Sequence, residues 1–378
     1  MRRALAGGLL LGACFQGHGL WGERCAGDDE CGPGLSCQDD GVCAEVPACE
    51  TLELASADLR PRAVLLLDHS LSMQRCLDDE LELDDCTSVG WPAPSRWDAL
   101  GELVAAVVGE VGDAVAFAAV LFPSDDRPEL LDSEQMCRFN DSTAIGFGEA
   151  ATAAIVAAVP SDSERLPLGE NPAREAWKLA RDMLQGSVGA VVPPRRIVLV
   201  TDNPPNCQSG ATERKALVEE LDPEFARLVE EGAAAGIATI VVGISIKEEG
   251  DADFAIGGVD PHAYLSALAA AGGAAQPGET PYLHLADAAS LPAVKGALAA
   301  ALAGLADGEE ACRVHLAEPL TEPHLVAVGL PGRLRRADPD CSDTQGWRWS
   351  DTSTLELCPR LCADVSAGAR VRVRVDCG

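Results

Sequence analysis

The chain has 378 residues, enough for two or three domains, one of them with a sizeable core. Its 60 acidic residues against 29 basic ones leave a formal charge of −31, which argues against nucleic acid as a partner. Fifteen cysteines are too many for a reduced cytosolic protein of this size and point to an oxidising compartment.

At the N-terminus Arg2 and Arg3 precede an apolar stretch, residues 4–13, and then Cys14. Leu11-Gly12-Ala13-Cys14 matches the bacterial lipobox. Residues 1–13 are therefore expected to be a signal peptide, too short to span a bilayer, with Cys14 lipidated after cleavage. Setting Cys14 aside leaves fourteen cysteines, an even number that could all pair. The alternative is an ordinary signal peptide with one leftover thiol. Either way the protein is expected to be exported, and a lipid anchor would hold it at the outer membrane or cell surface.

Residues 14–48 read as the anchor and a stalk. Cys25, Cys31, Cys37, Cys43 and Cys49 recur every sixth residue among Asp, Gly and Pro. So polar a segment needs disulfides to hold it, and its spacing is wrong for zinc.

From residue 62 to 305 apolar runs alternate with amphipathic segments. Strands are predicted at 63–67, 114–122, 197–201, 237–244 and 282–285. Helices are predicted at 95–111, 147–158, 172–184, 212–231, 261–271 and 291–305, and Ser95 with Asp98 has capping-box spacing. This alternation predicts a doubly wound α/β domain, assigned to residues 49–310, with a mostly parallel sheet covered on both faces. Residues 311–378 hold short alternating runs among Cys312, Cys341, Cys358, Cys362 and Cys377, and read as a small β module stapled by disulfides.

Two of the predicted strands end in oxygen-bearing residues. The first runs into Asp68-His69-Ser70-Leu71-Ser72 and the second into Thr201-Asp202. Open α/β sheets bind ligands at the carboxyl ends of strands where the strand order reverses, and Asp68 and Asp202 are expected side by side there. Ser70 and Ser72, two apart in an extended turn, can point the same way, while His69 alternates away from them. Two carboxylates and two hydroxyls suit a hard divalent cation, Mg²⁺ above Mn²⁺ or Ca²⁺, which keeps waters or takes a further oxygen.

Three disulfides are expected around this domain. Cys76 and Cys86 would close an acidic loop at the rim of the site, either as a specificity loop or second calcium site or as a merely solvated one. Cys137 and Cys207 follow strand ends on the same rim and would brace it. Cys49 and Cys312 flank the domain, whose termini should lie close together.

The segment from 62 to 305 resembles a von Willebrand factor A-type (vWA) domain. The resemblance rests on Asp68-His69-Ser70-Leu71-Ser72-Met73, on Arg96-Trp97-Asp98-Ala99-Leu100 and on Thr201-Asp202-Asn203-Pro204-Pro205. It implies a Rossmann-like fold with a metal-ion-dependent adhesion site, where a partner's acidic residue completes the coordination of the ion. The family's third loop usually supplies a threonine; the matching stretch here is Gly169-Glu170-Asn171-Pro172, so the resemblance makes Asn171 the remaining ligand. Asn203 replaces the usual glycine after the second aspartate.

The function implied is non-enzymatic capture of a protein partner at the cell surface. A scaffold whose metal site has decayed is the alternative. Catalysis finds little support: the sequence has no His-Glu-x-x-His, no Gly-x-Ser-x-Gly and no phosphate-binding glycine loop with lysine.

Overall fold

The computed structural model describes residues 24, 35–37, 41–45, 51–54, 59–78, 86, 94–123, 136–159, 169–186, 191–208, 213, 215–246, 258–306, 312–316, 326–330, 333–335, 337–366 and 369–375. The expected signal peptide 1–13, Cys14, Cys49 and most of the acidic loop (79–85) lie outside them.

In the Cys-rich segment β1 (Leu35–Cys37) and β2 (Cys43–Glu45) form an antiparallel hairpin, and Cys43 is disulfide-bonded. After β3 (Thr51–Leu54) come β4 (Arg62–Asp68), α1 (Arg96–Val111), β5 (Ala116–Phe122) and the short β6 (Ala144–Ile145). Next are α2 (Ala151–Ala158), α3 (Ala173–Gly186), β7 (Val191–Val192) and β8 (Arg195–Thr201). The α/β part closes with α4 (Phe225–Ala234), β9 (Ile237–Ile244), α5 (Pro261–Ala271), β10 (Leu283–Leu285) and α6 (Leu291–Ala306).

The central sheet has the order β10-β9-β8-β4-β5-β6 and is parallel except for β6, an antiparallel edge. Strand order reverses at β4, which lies between β5 and β8, so the crevice at its carboxyl end is the switch point. Side chains alternate across the sheet, and both faces are covered. Leu65 and Leu67 of β4 face α1, α2 and α6, while Val64 and Leu66 face α3, α4 and α5. That double cover is why these strands read as unbroken apolar runs.

The helix ends follow from local chemistry. Ser95 caps α1 and exchanges hydrogen bonds with Asp98 in a full capping box. Asp260 accepts the His262 N–H ahead of Pro261 to open α5. The single helix expected over 212–231 is divided instead: a five-residue π turn, Lys215–Glu219, precedes α4. Pro223 lacks an amide hydrogen and disfavours helical geometry at Asp222, so the chain restarts there.

The remaining elements are β11 (Arg313–Leu316), β12 (Val326–Leu330), β13 (Arg333–Arg335), β14 (Trp347–Trp349), β15 (Thr354–Leu357), α7 (Pro359–Ser366) and β16 (Val371–Val375). They build two four-stranded sheets, β14-β15-β11-β7 and β13-β12-β16-β3, over a core that includes Val314, Val328, Trp347, Leu355 and Leu361. Two strands come from outside the expected boundary of 311–378. β3 pairs antiparallel with β16, and β7, an excursion ahead of β8, pairs antiparallel with β11.

The expected Cys49–Cys312 link does not form. Cys312, just before β11, is bonded to Cys362 of α7 with a Cα–Cα distance of 5.2 Å, because α7 packs against the same core as β11. Cys341 bonds to Cys358 in the same module. No helix among the described residues is long and apolar enough to cross a membrane.

Candidate metal centre

Three loops converge at the carboxyl end of the sheet. β4 delivers Asp68, fully buried, and the chain turns through a 3₁₀ segment, Leu71–Gln74. The Ser70 N–H donates to Asp68 Oδ1 at 2.9 Å, which folds the turn back over the carboxylate. β8, paired in parallel with β4, delivers Thr201 and then Asp202.

The third loop carries Asn171. Its path is set by Gly169 at φ +84°, where a Cβ would lie 2.7 Å from the Met136 carbonyl oxygen, so a side chain there is excluded. The Gly169 carbonyl accepts from Leu71 N–H at 2.9 Å, and Glu170 N–H donates to the Met136 carbonyl at 2.8 Å. The backbone N–H of Asn171 donates to Asn206 Oδ1 at 2.9 Å, which ties this loop to the one after β8.

Asp68, Ser70, Ser72, Asn171 and Asp202 form one hydrogen-bonded cluster. Ser72 Oγ donates to Asp202 Oδ1 at 2.8 Å and lies 3.1 Å from Ser70 Oγ. Asn171 Nδ2 lies 2.9 Å from Asp68 Oδ2 and also reaches Thr201 Oγ1 and the Asn203 carbonyl. Two of those neighbours only accept, which fixes the amide with its nitrogen inward. Asn171 Oδ1 is then buried with no hydrogen-bond partner among the described residues. Burial, and next the Asp202 carboxylate, push the Asp68 carboxyl from 3.8 up to about 7.

The donor chemistry fits a hard cation: two carboxylates, two hydroxyls and an unsatisfied carboxamide oxygen. Among the described residues no three His, Cys, Asp or Glu side chains gather to hold a metal, so an ion here would rest on two carboxylates and neutral oxygens. One residue opposes it. Arg96, the first residue of α1, places Nη1 2.7 Å from Asp202 Oδ2, and both side chains are buried. In the sequence Arg96 reads only as a helix start; nothing local signals that its side chain crosses to the second strand end. Thr201, part of the oxygen-bearing end of the second strand but not among the expected ligands, places Oγ1 2.6 Å from Asp68 Oδ2.

His69 is buried with its ring against Trp97, centroids 4.6 Å apart. Cys76 and Cys86 are bonded at the rim, with a Cα–Cα distance of 4.9 Å. Cys137 and Cys207 are bonded at 5.4 Å and join the segment before Gly169 to the loop after β8. Above the cluster opens a cavity of about 480 Å³, lined by Ser70, Leu71, Ser72, Arg75, Glu170 and Asn171 among others. Leu71 is 49% exposed.

The strand order, the antiparallel edge strand and the position of this cluster define a vWA-like α/β fold. No family model matches the sequence, and no curated protein matches it. Among solved structures, the chain is similar to the pilus adhesin SpaC from Lactobacillus rhamnosus GG at 12% identity. That match covers 87% of this chain and 42% of that one, with a TM-score of 0.44. The conserved hypothetical protein BatB from Bacteroides thetaiotaomicron is similar at 16% identity, covering 65% and 99% with a TM-score of 0.37. The manganese-loaded TRAP protein of Plasmodium vivax is similar at 12% identity, covering 65% and 74% with a TM-score of 0.35. The chain thus spans less than half of the pilus adhesin.

Proposed function

We propose that this is a non-enzymatic, exported binding protein that captures a protein partner through a divalent cation. Asp68, Ser70, Ser72, Asn171 and Asp202 hold the ion, most readily Mg²⁺, and an acidic residue of the partner completes its shell. Cys14 carries a lipid anchor, residues 14–48 form the stalk, and the C-terminal β module supports the α/β domain. The disulfides of the described residues support export, since such bonds persist in oxidising compartments.

One observation carries the reading: two buried carboxylates from adjacent strand ends, with the Ser70 and Ser72 hydroxyls and an unsatisfied Asn171 oxygen, lie beneath an open cavity with an exposed leucine at its lip. Carboxylates in this number are costly to bury unless something positive joins them.

Calorimetric titration of Mg²⁺, Mn²⁺ and Ca²⁺ into the protein and into Asp202→Ala tests it. Saturable binding that the variant loses is the expected result; absence of binding for all three ions in both proteins would reject it.

The scaffold alternative has a specific observation in its favour, the Arg96–Asp202 ion pair, which supplies positive charge from within the chain. On that reading chelators leave both stability and partner capture unchanged.

A further inference from the structure

Arg96 takes up charge that a vWA-type cation site would otherwise offer to the ion. Asp68 and Asp202 bring two negative charges, and the buried guanidinium of Arg96 cancels one by direct contact with Asp202. Both oxygens of Asp202 are already engaged: Oδ2 meets Arg96, and Oδ1 meets Ser72 Oγ and Asn203 Nδ2. The backbone that carries this guanidinium is also fixed. Ser95 and Asp98 cap the helix that begins at Arg96, and the Arg96 N–H donates to the Arg75 carbonyl at 2.9 Å.

The charge count then has a consequence. Counted over Asp68, Asp202 and Arg96, a divalent ion added to the two carboxylates alone gives neutrality, and with Arg96 it leaves one positive charge in excess; Arg75 and Glu170, which also line the cavity, carry opposite charges. A single carboxylate from outside restores neutrality. We propose that Arg96 is a resident cation that weakens divalent-ion binding in the absence of an anionic partner, so that ion and partner each strengthen the other's binding. This rests on the cation-dependent reading above and adds to it the residue that couples the two ligands. The coupling is reciprocal: whatever strengthens the ion's hold strengthens the partner's to the same extent.

The test is calorimetric titration of Mn²⁺ alone into full-length wild type, Arg96→Gln and Arg96→Lys at constant ionic strength. Arg96→Gln removes one positive charge beside the site and is expected to bind Mn²⁺ at least about tenfold more tightly than wild type. Arg96→Lys keeps the charge and is expected to stay within about threefold of wild type. Equal affinity in wild type and Arg96→Gln overturns the proposal and leaves the cation site standing. Failure of all three proteins to bind overturns both.

Arg96→Gln leaves Asp202 buried without its partner and is liable to unfold in a chelator. In that case the ion itself must replace the lost charge. Mn²⁺ is then expected to raise the melting midpoint of Arg96→Gln more than that of wild type. A variant that stays unfolded with saturating Mn²⁺ overturns the proposal, because Arg96 would then be needed for its shape and contacts rather than for its charge.

Discussion

The side-chain nitrogen of Asn171 lies 2.9 Å from Oδ2 of Asp68, joining the loop before α3 to the end of β4 across 103 positions of sequence. The same nitrogen reaches Thr201 Oγ1 and the Asn203 carbonyl, so one carboxamide holds three segments together. Asn171→Ala removes all of these contacts and leaves a buried carboxylate short of a donor. The variant is expected to lose about 1–3 kcal/mol of unfolding free energy, read from urea titration. A loss below about 0.5 kcal/mol would mean that water replaces the amide at no disadvantage.

The Cys137–Cys207 bridge closes a loop of 70 residues that contains the Asn171 segment. Cys137→Ala with Cys207→Ala is expected to lower stability by about 2–4 kcal/mol, mainly through a less restricted unfolded chain. Mn²⁺ affinity should fall as well, while the far-UV circular dichroism of the central sheet stays the same. Unaltered stability would show that the backbone bonds Glu170 to Met136 and Cys207 to Leu217 brace these loops without help.

Gly232 of α4 faces Trp177 of α3 so closely that a Cβ would sit 2.5 Å from two ring carbons. Trp177 is fully buried and cannot swing away. Gly232→Ala is expected to destabilise by about 1–3 kcal/mol despite the better helix propensity of alanine. A stabilised variant in thermal melts would mean that α4 slides on the sheet to make room.

Asp222 carries the pH dependence most open to measurement. Burial raises its pKa above 3.8, and the Glu224 N–H and the Arg174 guanidinium only partly oppose this. The folded state therefore holds the proton more tightly than the unfolded one. Its contribution to stability is complete below pH 3.8 and diminishes as pH rises towards the folded value. Asp222→Asn lacks this titration, so wild type should lose ground to the variant as pH rises through that window. Urea unfolding at a series of pH values measures the gap; a constant gap would refute the assignment.

The sheet and its two polar strand ends were legible because β4 and β8 are covered on both faces. Such strands must be apolar throughout, so a sudden Asp68 or Asp202 stands out. Asn171 was legible only through resemblance, since Gly169-Glu170-Asn171-Pro172 has no periodicity to place it. Arg96 was visible as a residue but not as a neighbour of Asp202, because that contact depends on how α1 crosses the sheet. β3 and β7 escaped for a related reason: two to four apolar or alternating residues look like loop until their partners are known. The pairing of Cys312 with Cys362 likewise depends on α7 packing beside β11, which spacing cannot reveal.

The β3–β16 pairing sets the order in which the protein can be completed. Leu52 lies opposite Val373, over 300 residues apart, so β3 waits for a partner made more than 300 residues later. Until then β3 offers unpaired amides and carbonyls to any other extended chain. The module is therefore no detachable cassette: deleting residues 311–378 strands β3 and β7, and expressing that region alone takes from β11 and β16 one of their two neighbours each. β3 therefore pairs only after the whole α/β domain that separates it from β16 has been made.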